Sequence, residues 1–415
     1  MGGASTVARR SVGTTASKGT LVTRRYAALA AFLAAPVLCL AAEPPRNVHL
    51  RGLFDNCRIR FERDKAGHVA FIGGSITEMN GYRPMVCEML ARKFPAAKLT
   101  FTDAGIASTC STTGAFRLQR HVLDKGPVDL FFIEFAVNDD QDANHAAREC
   151  VRGMEGLLRH TRLHNPAADI VVTYFVNPGM LAQLQAGKTP LPVAAHEKVA
   201  RHYGVSTIHL AKEVAEQVTA GKITWKQFGG THPAPFGNRL CTEMIRGLLE
   251  AAWAKPLSKE ARSTPHALPE PLDSRSYFRG RLIDVKHAQW KEGWQVHVPP
   301  WKQLKGSCRR RFAEAEMLTT DRPGASLTLG FEGTAVGAYV LAGPDAGIVE
   351  AVVDGAAPRA VDLYHRFSRG LHYPRTVMFA TDLEPGRHTL TLRMTAKRNA
   401  GSRGTAMRVL QFVAN

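Results

Sequence analysis

Between residues 51 and 250, short apolar runs alternate with stretches whose apolar residues recur every three or four positions. The runs at 68–72, 99–103, 130–135, 170–175 and 206–210 are largely apolar or β-branched, as in strands covered on both faces. The stretches at 84–94, 114–123, 144–163, 191–203 and 237–253 carry the helical period. This alternation predicts βαβ units, and so an α/β three-layer sandwich around a five-stranded, mostly parallel sheet.

From 255 to 276 the pattern stops. Pro256, Pro265, Pro269 and Pro271 stand among Ser, Lys, Arg and Glu, and repeated prolines oppose both helix and ladder, so a linker is expected there. Beyond it, apolar runs at 327–331, 335–341, 348–353 and 388–394 are separated by turn signals such as Asp354-Gly355 and Pro385-Gly386. They predict an all-β sandwich or jelly roll over 277–415, following an α/β domain over 43–254. Trp290, Trp294 and Trp301 would suit a sugar-stacking face in that domain, or else its core.

The first 42 residues read as an export leader. Arg9, Arg10, Lys18, Arg24 and Arg25 precede an apolar run at 27–40, then Ala41-Ala42, with no acidic residue before Glu43. Cleavage near Ala42 would release an exported chain without a stable membrane span, the alternative being an uncleaved anchor. The formal net charge is +18, or +13 without the five basic residues of the leader. A basic surface favours anionic partners, but no nucleic-acid module is apparent, so none is expected as a partner. Six cysteines follow the leader and none forms a CxxC pair, which disfavours a zinc or redox motif. No cofactor is implied, and oligomeric state is not legible.

Four polar clusters carry the candidate chemistry. Gly73-Gly74-Ser75, Asp103-Ala104-Gly105 and Val137-Asn138-Asp139 each lie just after a predicted strand, at the sheet edge where open α/β folds bind ligands. Gly230-Thr231-His232-Pro233 precedes the last helix. Taken singly, Ser75 and Gly105 read as turns, Asn138 as a helix cap and His232 as a loop histidine. Together they supply a hydroxyl nucleophile, a base and oxyanion donors, the minimum set for acyl transfer. Glu134, inside an apolar strand, would need a base such as Arg117, while His196 and His202 read as surface or packing residues.

In order and spacing these clusters resemble the four blocks of the SGNH, or GDSL-like, serine hydrolases, over about residues 60–250. The resemblance implies an esterase or lipase-type hydrolase with Ser75 as nucleophile and His232 as general base. It implies an oxyanion hole from the Ser75 and Gly105 N–H groups and the Asn138 side chain. Gly229 departs from the pattern, since the family usually has Asp three residues before its histidine. A main-chain carbonyl, Asp139 or Glu78 could orient the imidazole instead. Export and the appended β domain point to short acyl esters, chiefly acetyl, on a carbohydrate. The alternatives are a lipase or lysophospholipase, and a carbohydrate-binding protein with a decayed hydrolase domain.

Overall fold

The structure is a computed structural model describing residues 44–415, with residues 2, 11 and 13–16. The leader expected at 1–42 otherwise lies outside the described residues. Among those described, no helix is long and apolar enough to cross a membrane.

The α/β region is built on a six-stranded sheet: β1 (Val48–His49), β2 (Ala66–Gly73), β3 (Lys98–Gly105), β4 (Leu130–Glu134), β5 (Asp169–Thr173) and β6 (Ser206–Ile208). Their spatial order is β1-β6-β5-β4-β2-β3. The five expected strands pair in parallel, and the short β1 adds an antiparallel edge against β6. Two residues are too few for a legible alternation, so β1 escapes a reading by pattern. The chain reverses direction of neighbour at β2, which sends β3 to one side and β4 to the other. Such a switch opens a crevice at the carboxyl ends of the strands. Residues 69–72 and 130–134 are entirely buried there, flanked on both faces by helices.

The C-terminal region is two antiparallel sheets. The strands Val336–Ala342 and Met407–Ala414 lie side by side at the centre of one. Side chains of Val336–Ala342 alternate between two cores. Val336, Ala338, Val340 and Ala342 face the second sheet, whereas Tyr339 and Leu341 join the core of the α/β region. The strand is therefore apolar throughout, although an antiparallel strand with one wet face would alternate. In the loop after Gly347–Val353, Asp354 and Gly355 both take positive φ, as a two-residue hairpin turn requires.

Residues 255–276 run as a strap along the α/β region. Thr264 donates its N–H to Asn56 Oδ1 (2.8 Å), and His266 Nε2 reaches Asp169 Oδ1 (2.9 Å). Arg152, with a buried side chain, pairs with Asp273 at the end of the strap and with Asp382 of the β region. Prolines keep this segment out of helix and ladder, but its polar groups are tied down one by one.

A continuous core couples the two regions. Leu341→Ala is expected to cost about 2–5 kcal/mol, as buried leucine truncations do. Calorimetry should show the melting of both regions in one transition, moved to lower temperature. Two separated transitions would contradict the shared core.

Candidate active site

The backbone of β2 ends at Gly73 and turns through Gly74 into a single helical turn, Ser75–Glu78. Ser75 is the first residue of that turn, and its Oγ lies 2.8 Å from His232 Nε2. Beneath the turn sits Glu134, the last residue of β4, with no exposed surface. Its Oε1 accepts from Gly74 N–H (2.9 Å), Thr77 Oγ1 (2.8 Å) and Thr77 N–H (3.3 Å). Burial pushes the Glu134 carboxyl up to about 7, against the opposing pull of the Thr77 and Gly74 hydrogen bonds. Arg117 makes no hydrogen bond to Glu134, contrary to the sequence expectation. It donates instead to the carbonyls of Ala104 (2.6 Å) and Gly73 (3.0 Å). The two buried charges thus grip the same strand end from different sides.

Gly105 ends β3 in register with Gly73. A Cβ at Gly105 would stand 2.3 Å from the Glu78 nitrogen, so only glycine lets the loop approach the serine turn this closely. Its N–H donates to Asp103 Oδ1 (2.9 Å) and its carbonyl accepts from Arg311 Nη2 (3.2 Å). In this geometry the Gly105 N–H is already engaged, which departs from its expected part in an oxyanion hole. Three residues on, Ser108 takes φ +70°, uncommon outside glycine, and its N–H meets no acceptor among the described residues.

Asn138 begins one turn of π-helix, Asn138–Asp142, and its buried side chain packs against Gly74. Its Nδ2 donates to Asp142 Oδ2 (2.6 Å). Burial raises the Asp142 pKa, with the Asn138 amide and the Tyr373 hydroxyl pulling it back.

His232 is exposed, on a loop between the helices Trp225–Phe228 and Pro235–Ala252. Thr224 and Gln227 cap the first helix reciprocally, and Gly229 ends it at φ +108°. A Cβ at Gly229 would lie 1.9 Å from the Ala234 nitrogen, so the position cannot carry the usual aspartate. Neither alternative acid reaches the imidazole. Glu78 pairs with Arg311 (3.0 Å) and accepts the Ala107 N–H (2.9 Å). Asp139 is fully buried and accepts from Ser111 N–H (2.8 Å), Ser111 Oγ (2.7 Å) and His196 Nε2 (2.9 Å). Among the described residues, His232 Nδ1 has no partner of either kind.

The structure therefore brings Ser75, Gly105, Asn138 and His232 to one sheet edge. It also places there residues that sequence reasoning missed: Asp142, Ser108, and Arg309, Arg311 and Tyr373 from the β region. The three tryptophans do not share a face. Trp294 is buried in the second core, Trp301 packs on the first with its Nε1 donating to Ala313, and Trp290 is exposed on an edge strand. His196 is fully buried as the partner of Asp139. The six described cysteines are free.

Three side-chain groups have metal-ligand spacing, with donor atoms within 4.8 Å: His49, Glu197 and His209; Cys110, Asp139 and His145; Asp139, Cys150 and His196. In each the carboxylate is already satisfied, Glu197 by the Arg51 guanidinium and Asp139 by Ser111 and His196. Against the opposing effect of burial, the two histidines hold Asp139 well below the usual carboxylate range.

Residues 71–240 match the model of the GDSL-like Lipase/Acylhydrolase family. A search of curated proteins finds no match. Among solved structures, the chain is similar to a two-domain esterase active on acetylated mannans, co-crystallised with mannopentaose. The identity is 21% and the TM-score 0.70, over 89% of this chain and 96% of that one. Another structure described as a two-domain esterase active on acetylated mannans is 22% identical, with a TM-score of 0.68 over 89% and 97%. The likeness shows a common fold across both regions. Residues 71–240 are thus similar to the GDSL-like lipase/acylhydrolases, a family of carboxylic ester hydrolases, and the similarity lies within the α/β region.

Proposed function

We propose that the protein is an exported esterase that removes acetyl or other short acyl groups from a polysaccharide, with Ser75 as nucleophile and His232 as base. The observation that carries the catalytic reading is the 2.8 Å contact between Ser75 Oγ and His232 Nε2 at the carboxyl edge of the sheet. His232 takes the Ser75 proton as Oγ attacks the acyl carbon. It then gives that proton to the departing sugar hydroxyl as the ester C–O bond breaks. Water, deprotonated by the same imidazole, releases the acid and restores Ser75. The developing oxyanion meets the Ser75 N–H at the start of a helical turn and the Asn138 amide, whose orientation Asp142 fixes. The third donor comes from the loop that begins at Gly105.

The polysaccharide reading draws on the similar esterase active on acetylated mannans. It is supported by access: His232 is exposed and Ser75 half-exposed, so an ester on a bulky polymer can reach them. Export rests on the basic, apolar, small-residue order of the leader.

Ser75→Ala is expected to lower turnover of aryl acetates and acetylated mannan by ~10⁴-fold or more, with an unchanged circular dichroism spectrum. Near-wild-type turnover by purified Ser75→Ala would refute the reading. Asn138→Ala should lower kcat by ~10²–10³ and leave KM little changed, the signature of a lost oxyanion donor. A raised KM at constant kcat would make Asn138 a binding residue instead.

Glu134 gives a prediction in pH. Its folded pKa, about 7, lies above the unfolded carboxylate value, so the native state holds the extra proton across the interval between them. Its contribution to stability is fully present below the unfolded pKa and is lost as pH rises toward 7. Glu134→Gln keeps an acceptor for Gly74 and Thr77 but cannot ionise. Denaturant titrations from pH 4.5 to 7.5 should show a shallower decline for Glu134→Gln than for wild type. Equal slopes would mean that Glu134 does not titrate there.

A further inference from the structure

Two loops at the candidate site are held by side chains more than 200 positions away in sequence. Arg309 Nη2 donates to Ser108 Oγ (2.7 Å), and Tyr373 Oη donates to the Ser108 carbonyl (3.2 Å). Ser108 is the non-glycine residue at φ +70°, a conformation that persists where its surroundings over-determine it. Tyr373 is buried and its ring stacks on His365 at 4.3 Å, with an interplanar angle of 12°. His365 receives the Phe367 N–H on Nδ1 (3.3 Å) and donates Nε2 to the carbonyl of Asp142 (2.7 Å). Asp142 in turn is the acceptor of the Asn138 amide. One aromatic pair from the β region therefore supports both the loop after β3 and the turn that carries Asn138.

We propose that Arg309 and Tyr373 are positioning residues for ester hydrolysis: by holding Ser108 in the left-handed region, they aim the Ser108 N–H at the oxyanion, the other N–H groups of the 105–109 loop being already donated within the protein. The proposal rests on the catalytic reading of Ser75 and His232. The physical reason is local. Without its two bonds, a serine gains by relaxing to negative φ, and that rotation swings the Ser108 N–H away from its present direction. The Gly105 N–H, committed to Asp103, offers no replacement. Neither Arg309 nor Tyr373 is required to touch the substrate. Their effect passes through Ser108, so a glycine at 108, which adopts positive φ unaided, should make them dispensable.

The experiment measures kcat and KM on an aryl acetate for full-length wild type, Tyr373→Phe and Arg309→Ala, each with and without Ser108→Gly. Tyr373→Phe keeps the ring and its stacking on His365, so the fold is retained. Each single change is expected to lower kcat on the order of tenfold, less than outright loss of a donor, with KM within about twofold. Adding Ser108→Gly to either variant should recover most of the lost kcat. Unchanged kcat in both single variants, or a loss that Ser108→Gly fails to relieve, would overturn the proposal. Should the wild type itself lack esterase activity, the catalytic reading fails instead. Amide hydrogen exchange over 105–109 then decides the clamp alone. Faster exchange in Tyr373→Phe supports it, and unchanged exchange refutes it.

Discussion

A carboxyl group with no access to water holds the turn on which Ser75 stands. At the end of β2 the backbone must leave the sheet, turn sharply and still present N–H groups outward. Buried N–H and carbonyl groups at such a point need partners, since orphaned ones are costly. Glu134 collects the inward-facing donors of Gly74 and Thr77 on one oxygen, and Arg117 takes the carbonyls of Gly73 and Ala104. Both groups are expensive to bury, and each is retained where it satisfies several backbone groups at once. With the inward polar groups served, the Ser75 N–H at the start of the turn has no acceptor among the described residues.

The neighbouring loops are packed onto that turn without spare volume. Asn138 rests on Gly74, and Gly105 lies against the Thr77–Glu78 peptide. Close packing fixes position but not the rotation of individual peptide planes. That finer control comes from polar contacts with the β region, including Arg311 to Gly105 and Glu78, Arg309 to Ser108, and His365 to Asp142. The shared core holds the β region firmly enough for such contacts to matter. Tyr339 and Leu341 pack on the α/β side of the same strand whose Ala338 and Val340 pack on the other sheet.

The parts of this arrangement that follow strand ends were legible in the sequence. Ser75, Gly105 and Asn138 each stand directly after an apolar run, and period-2 or continuous apolar runs are the strongest local signal a chain offers. The residues that came from elsewhere were not. Arg309 and Tyr373 sit among ordinary basic and aromatic positions of the β region, and nothing within ten residues of either records Ser108. Glu134 is legible as a charge inside a buried strand, but Arg117, the base expected beside it, bonds to backbone carbonyls instead. A charge in a strand can be paid for by backbone groups, which sequence does not display as partners. The tryptophans were readable as core rings but not further, since composition says nothing about which of two cores a ring enters. Gly229 is legible in the sequence as a missing aspartate and as a point of backbone freedom, but no further. Its positive φ and its contact with Ala234 are tertiary facts.

Among the described residues no carboxylate stands behind His232, which is consistent with where that histidine stands. In a buried triad the acid does two things: it balances the charge of the imidazolium, and it fixes the ring's tautomer and direction. An exposed imidazolium is solvated by water, so the first need is small. Of the second need, the backbone meets the part that concerns direction, by fixing the loop that carries the ring, while no group among the described residues holds Nδ1 in one tautomer. Gly229 caps the preceding helix in a conformation that packs it against Ala234, and Asn238 Nδ2 donates to the Pro233 carbonyl (2.6 Å). Prolines on both sides of Ala234 fix two further φ angles. A loop so constrained spends little entropy in aiming Nε2 at Ser75, and the same constraint leaves no room at 229 for the side chain that would otherwise do the aiming.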